Sequence, residues 1–420
     1  MSAKLHRLAS GLRVVCDPLP DFQTFALSVV VGRGARSETP AQSGWAHLLE
    51  HMAFKGAGAR SARELAEAVE AEGGQINAAT GYERTSFQIR ALKGGLPLAV
   101  EILADLVLRP TLDPEELERE KSVIAQEIAD AADAPDDKVF ELAQAQAFAG
   151  QALGRSILGR TRTVNAADGR ALGAFRTAQY AVQNLVVSAA GAVDEDQLLV
   201  LVEQAFAGPT GPVGPKPESA WFTAGAATLA RRLEQAHTVL LLPGVGARDE
   251  SYFVQRLFAE ALGGGMSSRL FQEAREKLGL AYTIDAYAEG YEDVGVLGIY
   301  AGSAGADASR TAEVCAAQLV ALAEGAQDGE LARSKAQLKA HLFMARESPL
   351  SRAEQAAGQT LLFDRLFTPS QMAEAIDAVS AGDVRAYGRR LLDAGCAASA
   401  VLGPKSALDA GEAFRRSLFG

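Results

Sequence analysis

Gly32-Arg33-Gly34-Ala35-Arg36-Ser37-Glu38 follows an apolar, β-branched run, and about half a chain later Gly244-Val245-Gly246-Ala247-Arg248-Asp249-Glu250 follows another. A second pair agrees in register: Glu116-Leu117-Glu118-Arg119-Glu120-Lys121 beside Glu330-Leu331-Ala332-Arg333-Ser334-Lys335, each opening a long helical pattern. Two matches at nearly equal offsets point to duplication of a unit half the chain long. Between the copies, Gly208 to Ser219 contains Gly-Pro-Thr-Gly-Pro-Val-Gly-Pro-Lys-Pro, which supports neither helix nor ladder hydrogen bonds and reads as a stiff linker. The expected division is therefore residues 1–207, a linker 208–219, and residues 220–420. A length of 420 residues, beyond the reach of a single core, agrees with two domains.

Within each half, strand patterns alternate with long helices. Leu12 to Cys16 and Phe25 to Val31 read as strands, and Ser43 to Phe54 as a helix. Ser61 followed by Glu64 is a capping box for a helix ending near Ala71, and Asp113-Pro114 supplies an N-cap and first-turn proline for another to about Ala132. Ile76 to Thr80 and Thr85 to Ala91 flank Gly81-Tyr82 as a hairpin. Hairpins of this kind favour an α+β fold: two homologous halves, each a mainly antiparallel sheet covered by helices.

Composition excludes several classes of partner. The formal charge of -11 disfavours a broad nucleic-acid contact, which needs clustered Lys and Arg. Cys16, Cys315 and Cys396 are far apart and lack C-x-x-C spacing, so neither a disulfide framework nor a cysteine-held metal is expected, and a reducing compartment is. Met1 to Pro20 has no apolar core of signal-peptide length, and no stretch reaches a membrane span of about 20 apolar residues. The expectation is a cytoplasmic protein with no membrane partner.

The helix Ser43 to Phe54 contains His47-Leu48-Leu49-Glu50-His51, an H-x-x-E-H order. Residues four apart share a helix face, so both imidazoles reach one ion, while Glu50 projects beside it without having to ligate it. A catalytic zinc needs a third protein ligand and an open position. Glu120 and Glu127 lie two turns apart on the helix from Pro114, on a face whose neighbours are apolar. A carboxylate turned inward is costly unless paired or metal-bound. Glu127 as ligand and Glu120 as the partner orienting a histidine satisfy both. The competing reading is a set of packed or solvated helix residues, but with five histidines in the chain, two in this frame around a Glu is a rare coincidence.

These residues resemble the pitrilysin or insulinase-type metallopeptidases, a family that includes the mitochondrial processing peptidases. The resemblance rests on Gly44 to Gly56, on Asn77-Ala78-Ala79-Thr80 before Glu83-Arg84-Thr85, and on Glu120 through Glu127. In the second half it rests on Gly263-Gly264-Gly265-Met266-Ser267-Ser268-Arg269-Leu270-Phe271 and Arg275-Glu276-Lys277-Leu278-Gly279-Leu280-Ala281-Tyr282. It implies two related halves enclosing a chamber, Zn2+ held by His47, His51 and Glu127, and Glu50 as general base. It also implies that Arg275 and Tyr282 grip substrate and transition state, and that the strand at Asn77, Ala78, Ala79 and Thr80 receives the peptide. Gln151-Ala152-Leu153-Gly154-Arg155 departs from the His-Pro-Leu-Gly run common there.

The repeat sets His47 and His51 opposite Ala259 and Gly263, Glu50 opposite Leu262, and Glu127 opposite His341, so the second half lacks the metal set. Gly263-Gly264-Gly265 is not followed by Lys-Ser/Thr and reads poorly as a phosphate loop. The function expected is a zinc-dependent endopeptidase acting on peptides or unfolded segments, self-sufficient in one chain and homodimeric. A noncatalytic scaffold or a partner-dependent processing peptidase is the alternative.

Overall fold

The computed structural model describes residues 3–207 and 214–420, so the Gly208–Val213 part of the expected linker lies outside the described residues. The first half of the chain runs through β1 (Lys4–Arg7), β2 (Arg13–Pro18), β3 (Thr24–Val31), α1 (Trp45–Ala53), the short strands β4 (Gly56–Ala57) and β5 (Arg60–Ser61), and α2 (Ala62–Ala71). The hairpin β6 (Gln75–Thr80) and β7 (Thr85–Leu92) follows, then α3 (Leu96–Leu108), α4 (Pro114–Asp133), α5 (Pro135–Ala147), α6 (Thr161–Asn165), α7 (Gly169–Gln179), β8 (Leu185–Gly191) and α8 (Glu195–Ala205). The second half runs through β9 (Gly225–Ala230), β10 (Gln235–Gly244), α9 (Tyr252–Gly263), β11 (Ala281–Gly290), β12 (Gly295–Ala304), α10 (Ala308–Glu324), α11 (Asp328–Met344) and α12 (Pro349–Phe363). It ends with α13 (Pro369–Ala378), α14 (Ala381–Asp393), β13 (Ala398–Gly403) and α15 (Ala410–Phe419). The expected caps are present: Ser61 and Glu64 form the reciprocal box, and Asp113 Oδ1 accepts from the Glu115 and Glu116 amides.

The first sheet has the order β1-β2-β8-β3-β7-β6, antiparallel throughout except for the β2–β8 pair. In β3 the pleat sends Phe25, Leu27, Val29 and Val31 into the main core with Leu48, Met52, Ile102 and Leu103 from α1 and α3. Val30 points to the opposite face and meets Ala356 and Ala357 of α12. The second sheet has the order β11-β12-β10-β13-β9, with β13–β9 its parallel pair. Read from its β11 edge, it repeats the first sheet read from β6. Its core collects Leu240, Leu242, Phe258, Leu262, Leu297, Ile299 and Leu319 beneath α9 and α10. Both halves are thus α+β layers built on one plan.

Two segments cross the boundary expected from the sequence. One compact unit gathers Met1–Ala129, Arg155–Glu218 and Phe343–Thr368, and the other Asp130–Gly154, Ser219–Leu342 and Pro369–Gly420. Helix α12 belongs with the first sheet and α5 with the second. The buried faces of these helices are small, Ala353, Ala356 and Ala357 in one and Val139, Ala143 and Ala147 in the other. Such faces fit any flat β-branched sheet, so helical periodicity marks the face but not its partner. A buried ion pair fastens α12: Arg352 donates from Nε and Nη2 to the carboxylate of Asp17 on β2 at 2.8 and 2.9 Å. Among the described residues no helix is long and apolar enough to cross a membrane.

Candidate metal centre

Gly44 stands at the N-cap of α1 with a φ of 92°, a conformation open to glycine, and a Cβ there would stand 2.7 Å from the Leu158 carbonyl oxygen. Trp45, Ala46, Leu48, Leu49, Met52 and Ala53 are buried. The stripe left over carries His47, Glu50 and His51, all half-buried. On α4, Leu117, Glu120, Lys121 and Ile124 are buried, and Glu127 follows two turns after Glu120.

The two helices bring their polar stripes together. His47 Nε2 lies 3.8 Å and His51 Nε2 3.7 Å from the same Glu127 oxygen. One donor atom from each of these three residues lies within 4.8 Å of both others. Ligands about 2.1 Å from a tetrahedral zinc stand roughly 3.4 Å apart, so a small inward shift accommodates the ion. Two imidazoles and a carboxylate fit the donor set of a catalytic zinc, and His47, His51 and Glu127 would hold the ion here.

Electrostatics prepare these donors. Burial, and then the neighbouring His51, bring the His47 imidazole down to about 4, so its lone pair is available at neutral pH. His51 Nδ1 sits 2.9 Å from Glu120 Oε2, an arrangement that places its proton on Nδ1 and leaves Nε2 free to ligate. Glu120 is 4% exposed. Burial raises its pKa, but hydrogen bonds from Lys55 and His51 outweigh this, and the net direction is down. Lys55 Nζ reaches the other Glu120 oxygen at 2.8 Å. Lys55, four residues after His51 on the same side of the chain's turn, was available to a periodicity argument as a candidate.

Glu50 stands outside the three-donor cluster. Burial raises its pKa, while a hydrogen bond from the Thr80 hydroxyl lowers it, and the net direction is up. Thr80, expected only to receive peptide, therefore engages the expected base. Asn77, Ala78 and Ala79 lie on β6, which among the described residues pairs with β7 alone. Arg275 and Tyr282 belong to the second compact unit. Arg275 is exposed on a short π-helical segment, Phe271–Lys277, with its guanidinium 4.7 Å from the Phe271 ring centre. Tyr282 is 60% exposed and falls where the β11–β12 register shifts between Ala281 and Thr283. Bulges of this kind redirect one side chain out of the ladder.

Sequence reasoning missed Glu38, the last residue of the repeated Gly32 to Glu38 stretch. It is 4% exposed and caps α1 from outside the helix, accepting from the Gly44 amide at 3.0 Å and the Ala46 amide at 2.7 Å. Burial pushes its pKa up to about 8 against the pull of these amides and of Arg155. Arg155, in the departing Gln151 to Arg155 run, also donates to the Glu38 carbonyl. These two stretches together seat the start of the helix that carries His47, Glu50 and His51.

Residues 13–161 match the family model described as insulinase (peptidase family M16), and residues 170–338 the model described as peptidase M16 inactive domain. An uncharacterized zinc protease of Streptomyces coelicolor is 35% identical over 92% of this chain and 86% of its own length. One from Rickettsia bellii is 34% identical over 96% of this chain and 98% of its own, and one from Bacillus subtilis 34% identical over 92% and 95%. The chain belongs to peptidase family M16. In fold it is similar to a peptidase M16 inactive domain from Pseudomonas fluorescens, with TM-score 0.89, 19% identity, and 96% and 99% of the two chains covered. A protease from Helicobacter pylori has TM-score 0.89, 21% identity and coverage of 96% and 100%.

Proposed function

We propose that this protein is a zinc-dependent endopeptidase acting on peptides or unfolded segments. The observation that carries the reading is the convergence of His47, His51 and Glu127 on one point, with Glu50 beside them and outside the donor set. Zinc held there would polarise the peptide carbonyl and bring the pKa of a water to about 7. Glu50 takes the proton of the attacking water on its carboxylate and delivers it to the leaving amine. The Thr80 hydroxyl fixes the carboxylate's orientation while it does so. The unpaired edge of β6 offers backbone groups to an extended peptide, which gives affinity with modest dependence on side chains. Arg275 and Tyr282 are proposed to hold substrate and the developing oxyanion; their exposure and the bulge at Tyr282 support the assignment. Both residue sets lie in one chain, so activity should need no second kind of subunit.

The test is hydrolysis of a quenched peptide by the purified full-length chain with zinc, with chelator, and with zinc restored. Cleavage that chelator abolishes and zinc returns is expected. Chelator-insensitive cleavage, or none with zinc bound, would contradict the reading.

A further inference from the structure

The reading of β6 as a peptide-receiving edge leaves open which side chains it selects, and the sheet around β6 supplies an answer. Alternation divides β6 between two faces. Ile76 and Ala78 pack on the main core, and Thr80, in phase with them, touches Glu50. Gln75 and Asn77 take the other face. Their register partners on β7 are Arg90 and Gln88, which alternate with the buried core residues Phe87 and Ile89. These four polar residues, with Ile76 and with Leu350 from the first turn of α12, line a hollow of about 410 Å³.

The chemistry of the hollow is one-sided. Among the described residues no carboxylate lines it. Arg90 is exposed, and its Nη2 donates at 2.6 Å to a neutral amide, Gln75 Oε1. Among the described residues no carboxylate pairs with Arg90, and its planar fork keeps further donors for a bidentate partner. The Gln88 Oε1 atom is buried and has no hydrogen-bond partner, so this carboxamide can turn to present its amino group instead.

A peptide strand added to β6 places directly opposed residues on the same face. Residues paired opposite Asn77 or Gln75 therefore project toward the hollow, roughly 10 to 17 Å along the strand from the position opposite Thr80. We propose that this hollow is a specificity subsite for an acidic side chain of the substrate, three to five residues from the scissile bond, with Arg90 as the selecting residue. The proposal rests on the peptidase reading above, because Thr80 and Glu50 define where the scissile bond lies.

The experiment uses the zinc-loaded full-length chain and quenched peptides in which one position at a time is Asp, Ala or Lys. In parallel, binding of the same peptides to zinc-loaded Glu50→Gln protein is followed by fluorescence anisotropy. The expected result is an Asp-over-Lys preference in kcat/KM of about two- to fivefold, the range of a partly exposed ion pair, confined to that region and absent at the two flanking residues. Arg90→Gln should remove the preference and Arg90→Glu should invert it. Cleavage without a local charge preference, or a preference that Arg90→Glu leaves in place, overturns the subsite while the peptidase stands. Binding that prefers Asp in an Arg90-dependent way, without any cleavage by the parent, overturns the peptidase and keeps the subsite. Absence of both overturns both.

Discussion

The same sheet order recurs in the two compact units, yet the helix that follows the second of the corresponding strands has opposite uses in them. Helix α1 offers His47, Glu50 and His51, whereas α9 has Ala259, Leu262 and Gly263 at the corresponding positions, all buried. On the facing helix Glu120 and Glu127 are matched by Ser334 and His341. The difference is one of space as well as chemistry. A Cβ at Gly263 would lie 2.4 Å from the Ala286 amide nitrogen on β11, so α9 rests directly on its strand where α1 leaves room for an imidazole. The loops before the helices differ in the same sense: Glu38 is buried as a cap on α1, while its counterpart Glu250 is exposed. In the second unit the Gln255 side chain takes over local bonding, accepting from the Val245 amide at 2.7 Å. Space given to two imidazoles and a carboxylate in one copy is closed by helix–strand packing in the other.

The comparison breaks first if the polar stripe of α1 is dispensable. Glu50→Gln should retain zinc and lower kcat by about 10²- to 10⁴-fold, the usual contribution of a positioned base. Parent-like turnover of the zinc-loaded variant would remove Glu50 from the chemistry. Glu120→Gln should weaken zinc binding by about 10- to 100-fold in chelator competition, since the orientation of His51 depends on that carboxylate. The equivalent change in the second unit, Ser334→Ala, should leave zinc affinity unaltered, and a matching loss there would erase the distinction between the units.

Gly263→Ala tests the closed side of the comparison. It should cost about 1 to 3 kcal/mol in urea unfolding, because a methyl group must displace the β11 backbone. No change in the urea midpoint would mean that α9 does not rest on β11. The smallest effect is expected at Glu38. Its folded pKa of about 8 lies above the ordinary carboxyl value of 4.5, so the native state holds the proton more tightly than the unfolded chain. Its contribution is complete below pH 4.5 and is lost as pH rises through 8. The Tm of Glu38→Gln should therefore vary less with pH over this window than that of the parent, with Glu250→Gln matching the parent. Parallel Tm profiles for parent and Glu38→Gln would contradict the buried-cap assignment.

Local signals in the sequence carried much of this architecture. The Ser61/Glu64 box, Asp113 before Pro114, and the hairpin around Gly81-Tyr82 each specify short-range hydrogen bonds, and each appears in the fold. The spacing of His47, Glu50 and His51 was equally local. The placement of α5 and α12 was not legible, because their small apolar faces suit either sheet. Glu38 escaped notice because its partners, the Gly44 and Ala46 amides, are backbone groups that no side-chain pattern announces. The contact between Thr80 and Glu50 joins a strand to a helix about thirty residues away, a distance over which periodicity says nothing.

The most direct measurement is anomalous diffraction at the zinc edge from crystals of the zinc-loaded chain. The account predicts one peak bonded to His47 Nε2, His51 Nε2 and a Glu127 oxygen, with Glu50 close by but unbonded. A peak at other side chains, or stoichiometric zinc with no density among these three, would contradict it.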